Sequence, residues 1–475
     1  MSNQESVTVA PPGEGGKPVS GLEQELYAKR QKIYPREVHG LFASLRVTGV
    51  IVLMGIFYGT PWINWSERQA ILWDLPNRKF HIFGLTFWPQ DFIYLSALLI
   101  IAALSLFFFT ALAGRLWCGY ACPQTVWTEV FLWIERKIEG DRSRQMKLSK
   151  SSWNSEKLLK RGGKHVVWIL LSLWTGFTFV GYFTPIRELG TAVLSLSTGP
   201  WETFWLLFYG FATYGNAGWL REQVCLYMCP YARFQSAMFD KDTLIISYDE
   251  SRGEPRGPRR RSADPKELGL GDCVNCTLCV QACPTGIDIR DGLQYECIGC
   301  AACIDACNDV MDKVGYERGL IRYTTENLLA GKTARILRPR IFVYGTILLV
   351  IMAALVTSIA LRVPLDFDVI RDRNTLYREV EGGLVENVYT LHVLNKHHQD
   401  HNYSLTLSND ILQLLMDERN IFIPAGGVGE ITVRVRVNPD DLPRQSTSFQ
   451  FEMISDDNPE IKAKGDATFV GPTGN

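Results

Sequence analysis

The sequence has almost no net charge, with 49 Lys and Arg against 50 Asp and Glu. That removes any general electrostatic argument for binding nucleic acid. Histidine is scarce, 7 in 475 residues. No pair of histidines stands inside an apolar run, which argues against a bis-histidine haem. Glycine pairs such as the one in "GGLVE" form no phosphate-binding pattern, so no nucleotide site is expected. The opening "MSNQESVTVAPPGEGGKPVSG" lacks the apolar core of a signal peptide and reads as the start of a disordered tail over 1–40. Cysteine is missing from 1–117 and from 308–475. All 12 cysteines fall between those limits. Clustered in this way, they read as metal ligands in a reducing compartment rather than as disulfides.

Long apolar runs are plentiful. Five segments, 41–62, 91–114, 165–183, 200–220 and 341–361, have the length and apolarity of membrane helices. Arg338, Arg340 and Arg362 fence the last one, so buried helices of a soluble protein are the weaker reading. Lys and Arg number eleven in 115–164, three in 63–90 and one, Arg187, in 184–199. Positive charge collects on the cytoplasmic side. The N-terminus and everything between Leu220 and Pro339 are therefore expected inside, and the C-terminus outside. Trp62, Trp65, Trp73, Trp201 and Trp205 would then lie at the outer interface. The basic run "RGEPRGPRRR" (252–261) is expected to hold the adjoining domain against an anionic leaflet.

The densest signal is "CVNCTLCVQACP" followed by "CIGCAACIDAC", two C-x-x-C-x-x-C-x-x-x-C runs spaced as in two-cluster ferredoxins. Each run supplies three ligands to one cube, and its fourth cysteine serves the other. Cys273, Cys276, Cys279 and Cys307 are assigned to one [4Fe–4S] cluster, and Cys297, Cys300, Cys303 and Cys283 to a second. Zinc sites use four ligands with a longer gap between pairs and do not fit this double quartet.

Two further pairs, Cys118/Cys122 in "WCGYACP" and Cys225/Cys229 in "VCLYMCP", end in proline where apolar runs stop. Residues four apart on a helix share a face. Pro123 and Pro230 would free the carbonyls of Gly119 and Leu226 and bend or end each helix. Soft thiolates select Cu(I), zinc or iron–sulfur clusters. Without a nearby histidine these four favour a soft monovalent ion or a reversible dithiol, while the plain alternative is packing by small apolar side chains. Residues 363–475 alternate apolar and polar residues in short strands bounded by Gly, Pro, Asn and Asp, as in an immunoglobulin-like β-sandwich, here without its disulfide. His397, His398 and His401 in "KHHQDHNY" read as a solvated hairpin loop.

"GRLWCGYACPQTVW", "CLYMCPYARFQ", "YDESRGEPRG", the double cysteine run and "IPAGGVGEITVRVRVNP", in that order, resemble the FixG/RdxA family of cytochrome c oxidase accessory proteins, also called CcoG. The expected fold is a five-helix membrane protein. After the tail it has a four-helix bundle over 41–239, a two-cluster ferredoxin-type domain over 240–338, a fifth helix over 339–362 and the sandwich over 363–475. The resemblance implies a multi-pass protein of the bacterial inner membrane needed to assemble cbb-type oxidases, acting as a cupric reductase. Copper, held transiently at Cys118, Cys122, Cys225 and Cys229, would be reduced from Cu(II) to Cu(I). Partners expected are membrane lipid, a copper transporter or chaperone, oxidase assembly factors and an electron donor of open identity. A homo-oligomer is left open and nucleic acid is not expected. Two rivals stand beside this: a quinol-linked electron-transfer subunit of the NapH/NosR kind, and a non-enzymatic copper-binding scaffold.

Overall fold

The computed structural model describes residues 32–472 apart from 66–67, 261–266, 398, 418–419 and 443. Most of the tail, Arg261 of the basic run and His398 lie outside the described residues. Residues 32–40, expected to continue the tail, instead run extended along the bundle. Specific pairing holds them there. Lys32 Nζ donates to Glu135 (2.6 Å) and Arg36 N to Gln281 O (2.8 Å).

Helix α1 (Leu41–Gly59) begins on a carboxylate from a distant domain: Asp305 accepts from Ala43 N at 2.7 Å. Gly40 permits this approach, since a Cβ there would stand 2.4 Å from Asp305 Oδ1. Small antiparallel sheets within 64–87 cover one end of the bundle, and α2 (Phe92–Ala113) returns. The chain continues through α3 (Leu116–Tyr120), α4 (Pro123–Glu139), α5 (Arg142–Lys150), α6 (Ser155–Val180), α7 (Ile186–Leu194) and α8 (Pro200–Thr213). Two π-helical stretches, Tyr214–Leu220 and Val224–Met228, then lead into α9 (Pro230–Met238).

Among the described residues four helices are long and apolar enough to cross a membrane: Leu41–Trp62, Pro89–Ala113, Ser155–Val180 and Pro339–Ala360. The remaining expected span, 200–220, is helical throughout but changes winding at Tyr214, which limits its α-helical part to 14 residues. Helix α6 starts at Ser155 rather than 165 because Asn154 caps it, accepting from Lys157 N at 2.8 Å. Its apolar window is 44% buried against 0–6% for the other three. It is therefore the interior helix, and the others turn their apolar side chains to lipid.

Short helices α10 (Glu250–Gly253), α11 (Leu278–Ala282), α12 (Ala302–Val314) and α13 (Glu326–Leu329) surround a two-stranded sheet, Ile245–Tyr248 against Ile321–Thr324. Arg252 and Arg259 of the basic run bond within this domain. Arg252 bonds Asp272 at 2.5 Å, and Arg259 donates to Gly271 O (2.7 Å) and Asp272 O (2.9 Å). Loop carbonyls folded away from water need donors, and these side chains supply them.

Helix α14 (Pro339–Ala360) leads to the C-terminal domain, an immunoglobulin-like sandwich. One sheet orders its strands 413–415, 428–437, 384–395 and 365–371, with 378–380 also on 384–395. The other orders 421–423, 401–407, 446–455 and 462–470. Tyr389, Leu391, Tyr403, Val433, Phe451 and Phe469 fill the space between them. His397 is half-buried in the connection between two strands, but His401 is not in a solvated loop. His401 is 4% exposed and opens a strand, with Nε2 2.9 Å from His397 Nδ1.

Candidate functional site

The two cysteine–proline motifs are built alike, though not as the spacing predicts. Each helix breaks between its cysteines instead of presenting both on one face. Cys118 lies in α3, while Cys122 is extended (φ −60°, ψ 129°) and caps α4. Cys225 lies in the second π-helical stretch, while Cys229 (φ −79°, ψ 110°) caps α9. The Cys122 N–H reaches back to Trp117 O at 2.9 Å, and the Cys229 N–H to Val224 O at 2.8 Å. Both prolines therefore start helices. At a helix's first position the missing N–H costs nothing and the fixed φ is already helical.

The first turn of α4 ties the motifs together. Thr125 Oγ1 donates to Cys118 O at 2.6 Å, and Gln124 Nε2 donates to Asn216 O at 2.9 Å and Arg221 O at 3.1 Å. Cys118 Sγ lies 3.4 Å from the amide nitrogen of buried Gln235. The four thiols are close enough to feel one another's charge. Burial first, then neighbouring thiols, pushes Cys225 up to about 12. Cys118, eased slightly by Gln235, is pushed up to about 11.

The eight remaining cysteines fall into two groups. Cys307 is surrounded by Cys279, Cys273 and Cys276, and Cys300 by Cys283 and Cys297. Cys303 lies near Cys300, Cys297 and Cys283, and near Cys279 of the other group. Asn275, Thr277, Gly299 and Ala301 take positive φ, which curls each loop around its sulfurs. All twelve cysteines are free thiols. Among the described residues no three His, Cys, Asp or Glu side chains close on a single metal ion. Ligands spread around a cube of four irons meet that condition.

The two sulfur systems meet at Gly119. A Cβ there would stand 2.7 Å from Gly299 O and 2.9 Å from Cys300 N and Cα, so the first motif lies directly on a loop of the second cysteine group. Arg115 clamps the contact, donating to Tyr295 O, to Cys297 O at 3.0 Å and to Ala232 O at 2.9 Å. Arg46 donates to Cys300 O. Tyr323 Oη donates to Gly299 O at 2.8 Å. The cysteine spacing does not reveal these residues. The one available signal was a glycine between two paired cysteines. Beside the junction a cavity of about 410 Å³ is lined by Cys225, Cys300, His39, Arg46, Glu129 and Glu222.

Residues 220–326 match a family model described as a 4Fe-4S dicluster domain, and 95–140 one described as a 4Fe-4S binding domain. Residues 355–472 match the Ig-like fold at the C-terminal of FixG. Protein RdxA of Cereibacter sphaeroides is 41% identical over 402 residues, covering 81% of this chain and 84% of the relative. Nitrogen fixation protein FixG of Rhizobium meliloti is 39% identical over 419 residues, covering 80% of each. Ferredoxin-type protein NapH of Haemophilus influenzae is 26% identical over 204 residues, covering 39% of this chain and 65% of the relative.

Proposed function

The chain belongs to the FixG/RdxA family, and from that premise we propose that this membrane iron–sulfur electron-transfer protein reduces Cu(II) to Cu(I) at its paired thiols. The Cu(I) is destined for assembly of cbb-type cytochrome c oxidase. Cys273, Cys276, Cys279 and Cys307 hold one [4Fe–4S] cluster, and Cys297, Cys300, Cys303 and Cys283 the other. When bound, the clusters supply reversible one-electron storage. The ferredoxin-type domain faces the cytoplasm and the sandwich faces outward, in keeping with the basic residues of 115–164.

The observation that carries this reading is the backbone contact of Gly119 with Gly299 and Cys300, which sets electron-storing and metal-holding sulfur side by side. Arg115 keeps the two from separating. At the thiols each Cu(II) gains one electron and becomes Cu(I), and a low-potential one-electron donor protein replaces that electron. Thiolate sulfur prefers the soft, monovalent product. Protons held on the buried thiols leave as copper binds. The Cu(I) formed there would be handed on to a transporter or chaperone.

Replacing Cys118 and Cys225 together by serine should abolish copper binding and leave the iron–sulfur absorption and iron content intact. Copper bound as in the native protein would remove the assignment. The 410 Å³ cavity beside Cys225 and Cys300 favours a second reading, a quinol as electron donor. It is large enough for an organic head group, and His39, Glu129 and Glu222 can accept protons. Cluster reduction by a quinol in copper-free membranes supports it, and no reduction under those conditions removes it.

A further inference from the structure

A second cavity of about 320 Å³ opens on the ferredoxin side of the bundle, between the extended N-terminal segment, the start of α6 and the turn Gly218–Arg221. Its lining carries four cations, Lys32, Arg161, Lys164 and Arg221, and no carboxylate. Two carboxylates stand behind that lining. Glu135 pairs with Lys32 (2.6 Å), Arg221 (2.6 Å) and Lys164 (3.2 Å), and Glu139 with Lys164 (2.6 Å). Four positive charges against these two leave an excess of two facing the cavity. Lys164 and Arg221 are only 4% and 5% exposed, so this is a built site rather than a drift of surface lysines. Burial, with Lys164 and Arg221 adding to it, holds the Lys32 ammonium below its ordinary range. Among the described residues Arg161 makes a 3.4 Å contact to Ser149 Oγ and lies over the Trp153 ring.

The level of the cavity names its ligand. The apolar stretch of α6 begins just past Lys164, and Trp219 closes the 200–220 helix beside it, 61% exposed. Below this rim α6 exposes Val166 and Leu170. Cations at the rim, an interfacial tryptophan and an apolar wall beneath match the parts of a phospholipid in order. We propose that this cavity binds the phosphate of an anionic phospholipid, with the acyl chains against Trp219 and α6. Arg221 stands four residues before Cys225, at the break between the two π-helical stretches, and is bonded to Glu135 on α4, the helix that Cys122 caps. A bound head group therefore steadies both thiol arms, whether or not the thiols handle copper.

The test uses the full chain in nanodiscs of phosphatidylcholine with and without phosphatidylglycerol. Retained lipid is read by native mass spectrometry and Tm by calorimetry. The native protein should retain phosphatidylglycerol selectively and melt higher with it. Arg161→Gln should lower that retention about fivefold, and Arg161→Lys should restore most of it. Lys160→Gln, one residue along the same helix and outside the cavity, should match the native protein. Equal retention in native and Arg161→Gln protein overturns the proposal, as does an equal loss in Lys160→Gln. A rise in Tm of the same size from inorganic phosphate in phosphatidylcholine discs overturns the lipid as source.

Discussion

A single hydrogen atom at residue 119 decides whether the two sulfur systems touch. Its neighbours are backbone atoms of Gly299 and Cys300, which cannot swing aside as a side chain would. Gly119→Ala should cost about 1–3 kcal/mol in denaturation, the range for overpacking, and slow electron exchange with the motif thiols while iron content holds. Gly55→Ala in α1, where nothing lies within 4 Å, should not destabilise the protein and should leave electron exchange unchanged. Arg115 belongs to the same scale. Its fork reaches three carbonyls, whereas a lysine is a point charge, so Arg115→Lys should loosen the loop around Cys297 and alter the electron paramagnetic resonance of one cluster only. The cysteines were legible because metal ligation fixes both residue type and spacing. Arg115 was not, because an arginine after an apolar run looks like any juxtamembrane charge.

At the scale of elements, the proline of each motif starts a helix. Pro123→Ala should therefore cost only about 0.4–1 kcal/mol, through the added freedom of the unfolded chain, and not the ~3 kcal/mol of a helix interior relieved or broken. Helix α4 is fastened by Glu135. Burial alone would raise its carboxyl, but Arg221, Lys32 and Lys164 outweigh that and hold it down to about 2. The stabilisation this gives is complete above the ordinary value of 4.5 and is lost as pH falls towards about 2. Acid denaturation of Glu135→Gln should lack that component. At neutral pH the variant should be weaker by about 3–5 kcal/mol, since its cations lose their partner. Hydropathy exposed the membrane helices, and two-residue alternation exposed the sandwich strands. The π winding after Tyr214 and the early start of α6 left no mark in either pattern, because both depend on how backbone groups are capped and not on which residues are apolar.

Across the whole molecule, α14 separates an electron-transfer end from a sandwich end. The sandwich is fastened to the bundle through Asp91, which is 8% exposed and pairs with Arg362 and, at 3.3 Å, with Lys396. Asp91→Asn leaves two cations facing each other and should raise proteolysis and hydrogen exchange around 361–366. The order of domains could be read from composition, but this fastening could not, since its partners lie 271 and 305 residues apart. The proposed copper reduction requires electrons to leave the iron–sulfur domain through the motif thiols. Anaerobic stopped-flow mixing of cluster-reduced protein with a Cu(II) chelate tests that directly. One Cu(I) should form for each electron lost from the reduced clusters, and Cys118→Ser with Cys225→Ser should stop both. Clusters that reoxidise in the double variant at the native rate, with the same yield of Cu(I), would contradict it.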